Sequence, residues 1–155
     1  MLEAKNGYYT FMVAVKDYGE KFLEFWCQNI NLESNITINA AIDKLEVYGL
    51  HCFIVKGGYP SMMVYFRPMS LEKFKLGERD ICPNMINSSI KVSINGYESK
   101  VYKVNKVEEY GRDCSMTAYL VQVSIPKELL PDNKNTLVVQ VSDLDGLFGQ
   151  AAIFF

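Results

Sequence analysis

SIKVSINGYESKVYKV, residues 89–104, decides the fold class. Ile90, Val92 and Ile94 alternate with Lys91 and Ser93, a period of two that puts apolar side chains on one face of a strand and polar ones on the other. Asn95-Gly96 follows, and both residue types tolerate the positive φ that a two-residue hairpin turn requires. YESKVYKV (97–104) is then expected to return as the partner strand.

The same period runs outward in both directions. Downstream, TAYLVQVSI (117–125) places Tyr119, Val121, Val123 and Ile125 on one face, TLVVQVS (136–142) turns Leu137, Val139 and Val141 inward, and QAAIFF closes the chain. IPKELLPDNKN between them reads as a polar, proline-punctuated connection with room for a short turn of helix. Upstream, FMVAVK (11–16), the turn Asp17-Tyr18-Gly19-Glu20 and KFLEFWCQ (21–28) read as a first hairpin. ITINAAI (36–42) alternates as a strand. LHCFIVK (50–56), Gly57-Gly58-Tyr59-Pro60 and SMMVYFR (61–67) form a second hairpin, which Pro68 is expected to end because it has no amide hydrogen for a ladder. Residues 70–85 show no strand period, and Ser70 is placed to cap one helical turn ending near Gly77. The expectation is one domain over residues 1–155: an all-β, antiparallel β-sandwich of roughly eight to ten strands with little helix, in about two four-stranded layers.

Composition narrows the function classes. Of 155 residues, 49% are hydrophobic and 22% charged, an ordinary globular balance. The formal charge is -2 and the lysines and arginines are scattered, so no basic stripe for nucleic acid is present. No apolar run is long enough to insert in a membrane. Met1–Thr10 lacks a charged segment followed by an apolar one, so the expectation is cytoplasmic synthesis, with incorporation into a virion as one destination. Cys27, Cys52, Cys82 and Cys114 form no Cys-x-x-Cys pair, and free thiols are expected, with two disulfides as the alternative.

Catalytic chemistry is hard to assemble from these residues. His51 is the single histidine, and its parity with Phe53 and Val55 reads as a core or edge position. No nucleophile elbow, phosphate loop or zinc-binding helix motif occurs. Glu108 and Glu109 are adjacent and would point to opposite faces of a strand. The chain therefore reads as a non-enzyme.

Aromatic side chains near turns are the stronger lead, because sugars and protein partners both bind flat aromatic faces. Trp26, Tyr59 and Tyr97 are the candidate ligand-binding residues. Leu23, Phe25 and Cys27 share one face of their strand, and Phe22, Glu24, Trp26 and Gln28 the other, so that strand is either buried on both sides or presents an aromatic platform. VSDLDGLFGQAAIFF (141–155) carries Asp143 and Asp145, the carboxylates nearest to a calcium site. The spacing excludes a helix-loop-helix calcium loop, since Leu147, Phe148 and Phe154 fall where a ligand, the glycine and the bidentate glutamate belong. A polar turn is the reading, with calcium the one cofactor left open.

From residue 89 onward the chain resembles the second half of galactose-binding-like jelly rolls, on SIKVSINGYES (89–99), AYLVQVSIPKELLPDNKNTLVVQVSD (118–143) and GLFGQAAIFF (146–155), with YFRPMSL (65–71) similar to the preceding strand. Immunoglobulin-like domains end in similar phrases and stay as the competing fold. The resemblance implies a jelly-roll sandwich used as a sugar binder, a spacer, or an attachment or assembly domain. Together with the missing catalytic set, it gives two expectations. One is a non-catalytic structural, attachment or assembly subunit of a virion, tail or surface assembly, with protein partners or self-assembly. The other is a carbohydrate-binding module, with calcium assistance.

Overall fold

A computed structural model describes residues 2–111 and 114–155; Met1, Arg112 and Asp113 lie outside the described residues. The chain builds five consecutive antiparallel hairpins: β1 (Gly7–Val13) with β2 (Phe25–Leu32), β3 (Leu45–Ile54) with β4 (Ser61–Ser70), β5 (Ile90–Ile94) with β6 (Tyr97–Glu98), β7 (Val101–Tyr110) with β8 (Ser115–Ser124), and β9 (Thr136–Ser142) with β10 (Phe148–Phe154). It changes sheet after every hairpin. The result is a six-stranded sheet, β1-β2-β10-β9-β5-β6, facing a four-stranded sheet, β3-β4-β8-β7, with β2 and β10 as a parallel pair. The described residues are thus mostly strand in two sheets, with one short helix, α1 (Leu71–Lys75), and one 3-10 turn at Asn87–Ser89.

The main core lies between the sheets. Leu137, Val139 and Val141 of β9, Val121 and Val123 of β8, and Val64 and Phe66 of β4 are all buried in it, following the alternation of their strands. Phe66 and Tyr119 stack with ring centroids 5.7 Å apart. A second cluster sits on the opposite face of the six-stranded sheet, where Phe25, Cys27, Ile30 and Ala152 are buried with Val138 and Phe154. Ile38 and Ile42 close it from above. The segment 36–42, expected as a strand, pairs with none among the described residues; it is the cover of this second core, tied down by Ala41 N donating to Gln150 Oε1 at 3.2 Å. Its alternating isoleucines arise because one side of an extended segment is buried, which does not require a ladder. β2 is accordingly buried on both sides.

Further expectations are corrected. YESKVYKV is not one strand: β6 ends at Glu98, the buried Ser99 donates its amide to Val92 O at 2.8 Å, and Lys100 N donates to Ser124 Oγ at 2.8 Å, handing the chain to the other sheet. Pro68 does not end its strand, because β8 leaves β4 at the Phe66–Tyr119 pair, and beyond it a missing amide costs no ladder bond on that flank. IPKELLPDNKN holds no helix; Asn135 organises it instead, accepting from Leu130 N at 2.8 Å and donating to Leu130 O at 2.9 Å. The layers are six and four strands rather than equal, and the sandwich is not wholly antiparallel, because β10 returns alongside β2 in the same direction.

Other expectations hold in detail. Asn95 and Gly96 take φ of 51° and 82° as their turn requires, and Ser70 Oγ accepts from Lys73 N at 3.4 Å, capping α1. Gly149 does more than admit the last strand. A Cβ there would lie 2.5 Å from Leu45 O and 2.6 Å from Leu45 C, so β10 and the start of β3 touch backbone to backbone. We predict that Gly149→Ala destabilises the fold by roughly 3 kcal/mol, the overpacking range extended because the obstruction is backbone. Urea unfolding checks this; an unchanged midpoint would show that β3 can retreat without loss.

Candidate functional site

Tyr59 and Tyr97, predicted from their turns, are both strongly exposed, at 65% and 75%. They stand at the same end of the sandwich. Lys100, shortly after Tyr97, bonds to Ser124, which pairs with Ser61 beside Tyr59. Tyr59 meets Tyr102 of β7 edge to face, with centroids 5.7 Å apart and planes at 83°, and Lys100 Nζ lies 5.9 Å from the Tyr102 ring centroid. The β3–β4 turn below is set by Gly58 N donating to Val55 O at 3.1 Å, with Gly57 at φ 76°. Phe53, Ile54 and Val55 run into that turn exposed, beside an exposed His51 whose ring lies 6.4 Å from Phe53. The hairpin end is therefore a largely apolar, aromatic surface.

Trp26 belongs elsewhere. Its indole N–H donates to Glu46 Oε1 at 2.9 Å, and its ring packs edge-on to Tyr48 at 6.0 Å. Glu46 and the Tyr59 turn occupy opposite ends of the β3–β4 hairpin, separated by roughly 26 Å of strand at ~3.3 Å per residue. Trp26 and the tyrosines do not form one site.

Around Trp26 the structure gathers a polar cluster that the spacing in sequence conceals. Glu24, just before β2, and Glu46 of β3 are only 7% and 3% exposed. Arg67 of β4 lies with its guanidinium 5.0 Å from the Tyr48 ring centroid. Among the described residues neither Glu24 Oε2 nor Arg67 Nε has a hydrogen-bond partner. Burial, and then the neighbouring Glu24 charge, push the Glu46 carboxyl up to about 7, against the opposing pull of the Trp26 hydrogen bond and of Arg67. Hydrogen bonding to Glu24, followed by burial, raises the Tyr18 phenol as well. The available signal was a charge set inside an apolar run: Glu46 between Leu45 and Val47, and Glu24 between Leu23 and Phe25.

The remaining candidates are occupied by the fold. Asp143 Oδ1 accepts from Asp145 N at 3.0 Å and Leu147 N at 2.9 Å, the polar turn read from the sequence. No group of three or more metal-ligating side chains occurs among the described residues. Glu108 accepts from Tyr110 at 2.9 Å and faces away from Glu109. A shallow cleft of about 290 Å³ beside β7 and β8 contains Asp80, whose oxygens are taken by Thr117 Oγ1 at 2.6 Å and by the amides of Thr117 and Cys82, both at 3.1 Å. All four cysteines are free, and burial pushes the thiols of Cys27, Cys52 and Cys82 up to about 11. No helix among the described residues is long and apolar enough to cross a membrane. Comparison with protein-family models, with curated proteins and with solved structures finds no match to this chain.

The Glu46 carboxyl makes a testable link between pH and stability. Its folded pKa stands above that of an unfolded-chain glutamate, ~4.3, so between the two values the folded protein holds a proton that the unfolded chain has released. This contribution is complete below about pH 4 and is lost as pH rises through about 7. At ~1.4 kcal/mol per unit it amounts to roughly 4 kcal/mol. Glu46→Gln keeps a carbonyl acceptor for Trp26 without the charge. Chemical unfolding at about pH 5 and about pH 8 should show the wild type weakening with pH and the variant much less so. Equal slopes for both would refute the assignment.

Proposed function

We propose that this chain is a non-catalytic assembly or attachment module that works through protein contacts, and that its sandwich is of the jelly-roll kind. The observation that carries the functional reading is the exposed hairpin end, where Phe53, Ile54, Val55 and Tyr59 are all exposed and Tyr59 packs only against the exposed Tyr102. An aromatic and aliphatic cluster of this sort costs solvation free energy unless a partner covers it, and tyrosine is a preferred anchor residue. What supports the jelly-roll reading is the coarser architecture it needs, two packed sheets of short strands with almost no helix. Trp26 has no part in this reading, because its indole is engaged by Glu46 and Tyr48.

A carbohydrate-binding role is the second reading, favoured by the Tyr59–Tyr102 pair, since an exposed aromatic face on a turn is how such a site is built. Light scattering of the purified chain over a concentration series separates the two. Self-association that falls when Phe53→Ser and Tyr59→Ser are combined is the expected result, whereas a stable monomer counts against assembly. A glycan array run with calcium and with chelator checks the second reading, which binding in neither condition would eliminate.

A further inference from the structure

We propose that the free edge of β7 pairs with β7 of a second copy of this chain, antiparallel and about a two-fold axis, joining two four-stranded sheets into one. The inference rests on the assembly reading and specifies one interface for it. β7 is the last strand of its sheet and runs ten residues; it is irregular near its start, between Val101 and Lys103, but from Lys103 to Tyr110 it pairs with β8 without interruption, the longest regular run on any edge. The other sheet edges are blunted in the ways that discourage pairing: β3 is bulged between Tyr48 and His51, β1 is bulged between Tyr9 and Phe11, and β6 has two residues.

The charges of β7 are complementary to themselves. Lys103 and Lys106 occupy its first half, Glu108 and Glu109 its second, and among the described residues none of the four joins an ion pair within the chain. Lys106 and Glu108 share one face, opposite Tyr119 and Thr117 of β8, while Asn105, Val107 and Glu109 share the other. An antiparallel partner related by a two-fold axis normal to the sheet meets each residue with one of the same face. With Val107 opposite its own copy, Lys106 falls opposite Glu108 of the second copy and Glu108 opposite its Lys106, while Asn105 faces Glu109. No like charges oppose in this register. Lys106 and Glu108 are both exposed; in turning toward such a partner Glu108 exchanges its hydrogen bond from Tyr110 and Lys106 its place 6.0 Å from the Tyr119 ring centroid for the new ion pair.

Lysines on an edge also serve in other proteins to prevent pairing, and that use predicts a monomer. Three proteins distinguish the cases by sedimentation equilibrium: the wild type, Lys106→Glu, and Lys106→Glu combined with Glu108→Lys. Circular dichroism confirms that each is folded. The expected result is a wild-type dimer, a dimer dissociation constant raised about tenfold or more by Lys106→Glu, and recovery in the charge-swapped double variant. A wild type that remains monomeric overturns both this pairing and the self-assembly form of the proposed function. Self-association indifferent to all three charge states overturns the β7 pairing alone and leaves assembly to another surface.

Discussion

The contact on which the rest of the structure depends is the backbone approach of β10 to the start of β3 at Gly149. Because no side chain separates Gly149 from Leu45 and Glu46, an edge strand of one sheet is clamped directly onto an inner strand of the other. Asp43, two residues before β3, reinforces the same corner by accepting Phe148 N at 3.0 Å. Leu45 and Val47 are thereby driven into the main core, and the alternation of the strand obliges Glu46 to point the other way. There it meets Trp26. The polar cluster is thus a consequence of how closely the sheets are joined, and its burial follows from the same contact.

The sandwich is asymmetric in what covers it. The six-stranded sheet carries apolar residues on both faces and needs the 33–42 segment to close its second core, whereas the four-stranded sheet has no such cover among the described residues. Strand β2 shows why: with Phe25 and Cys27 on one side and Trp26 on the other, exposing either face would forfeit roughly 2 kcal/mol for each large side chain. Both surfaces proposed for partners lie on the uncovered sheet, at its β7 edge and at the β3–β4 hairpin end.

Strand periodicity and turn chemistry carried most of the fold in the sequence. The second half of the chain shows how far this reaches: Asn95-Gly96 and the valines of β9 fixed turn and face, yet nothing in YESKVYKV marks the change of sheet, which depends on bonds from Ser99 and Lys100 to residues distant in sequence. ITINAAI misleads for a related reason, since one buried side looks the same whether it lies in a ladder or on top of one. For the candidate sites the division is similar. Tyr59 and Tyr97 were legible because exposure at a turn is a local property. The pairing of Glu24 with Glu46 was not, because it requires knowing that β2 and β3 meet across the two sheets.

The two proposed partner surfaces differ in what they would permit. A strand pairing about a two-fold axis uses the same residues on both copies and is complete at two, so β7 by itself cannot extend an assembly. The hairpin end has no internal complementarity of charge and takes whatever apolar surface fits it, including one on a different molecule. On the proposed assembly reading, a structure of more than two copies would use both, with β7 setting symmetry and the hairpin end setting attachment. The clamped corner at Gly149 lies at the β3 edge of the four-stranded sheet, across β4 and β8 from β7, so association at β7 leaves the contact that holds the sheets together undisturbed.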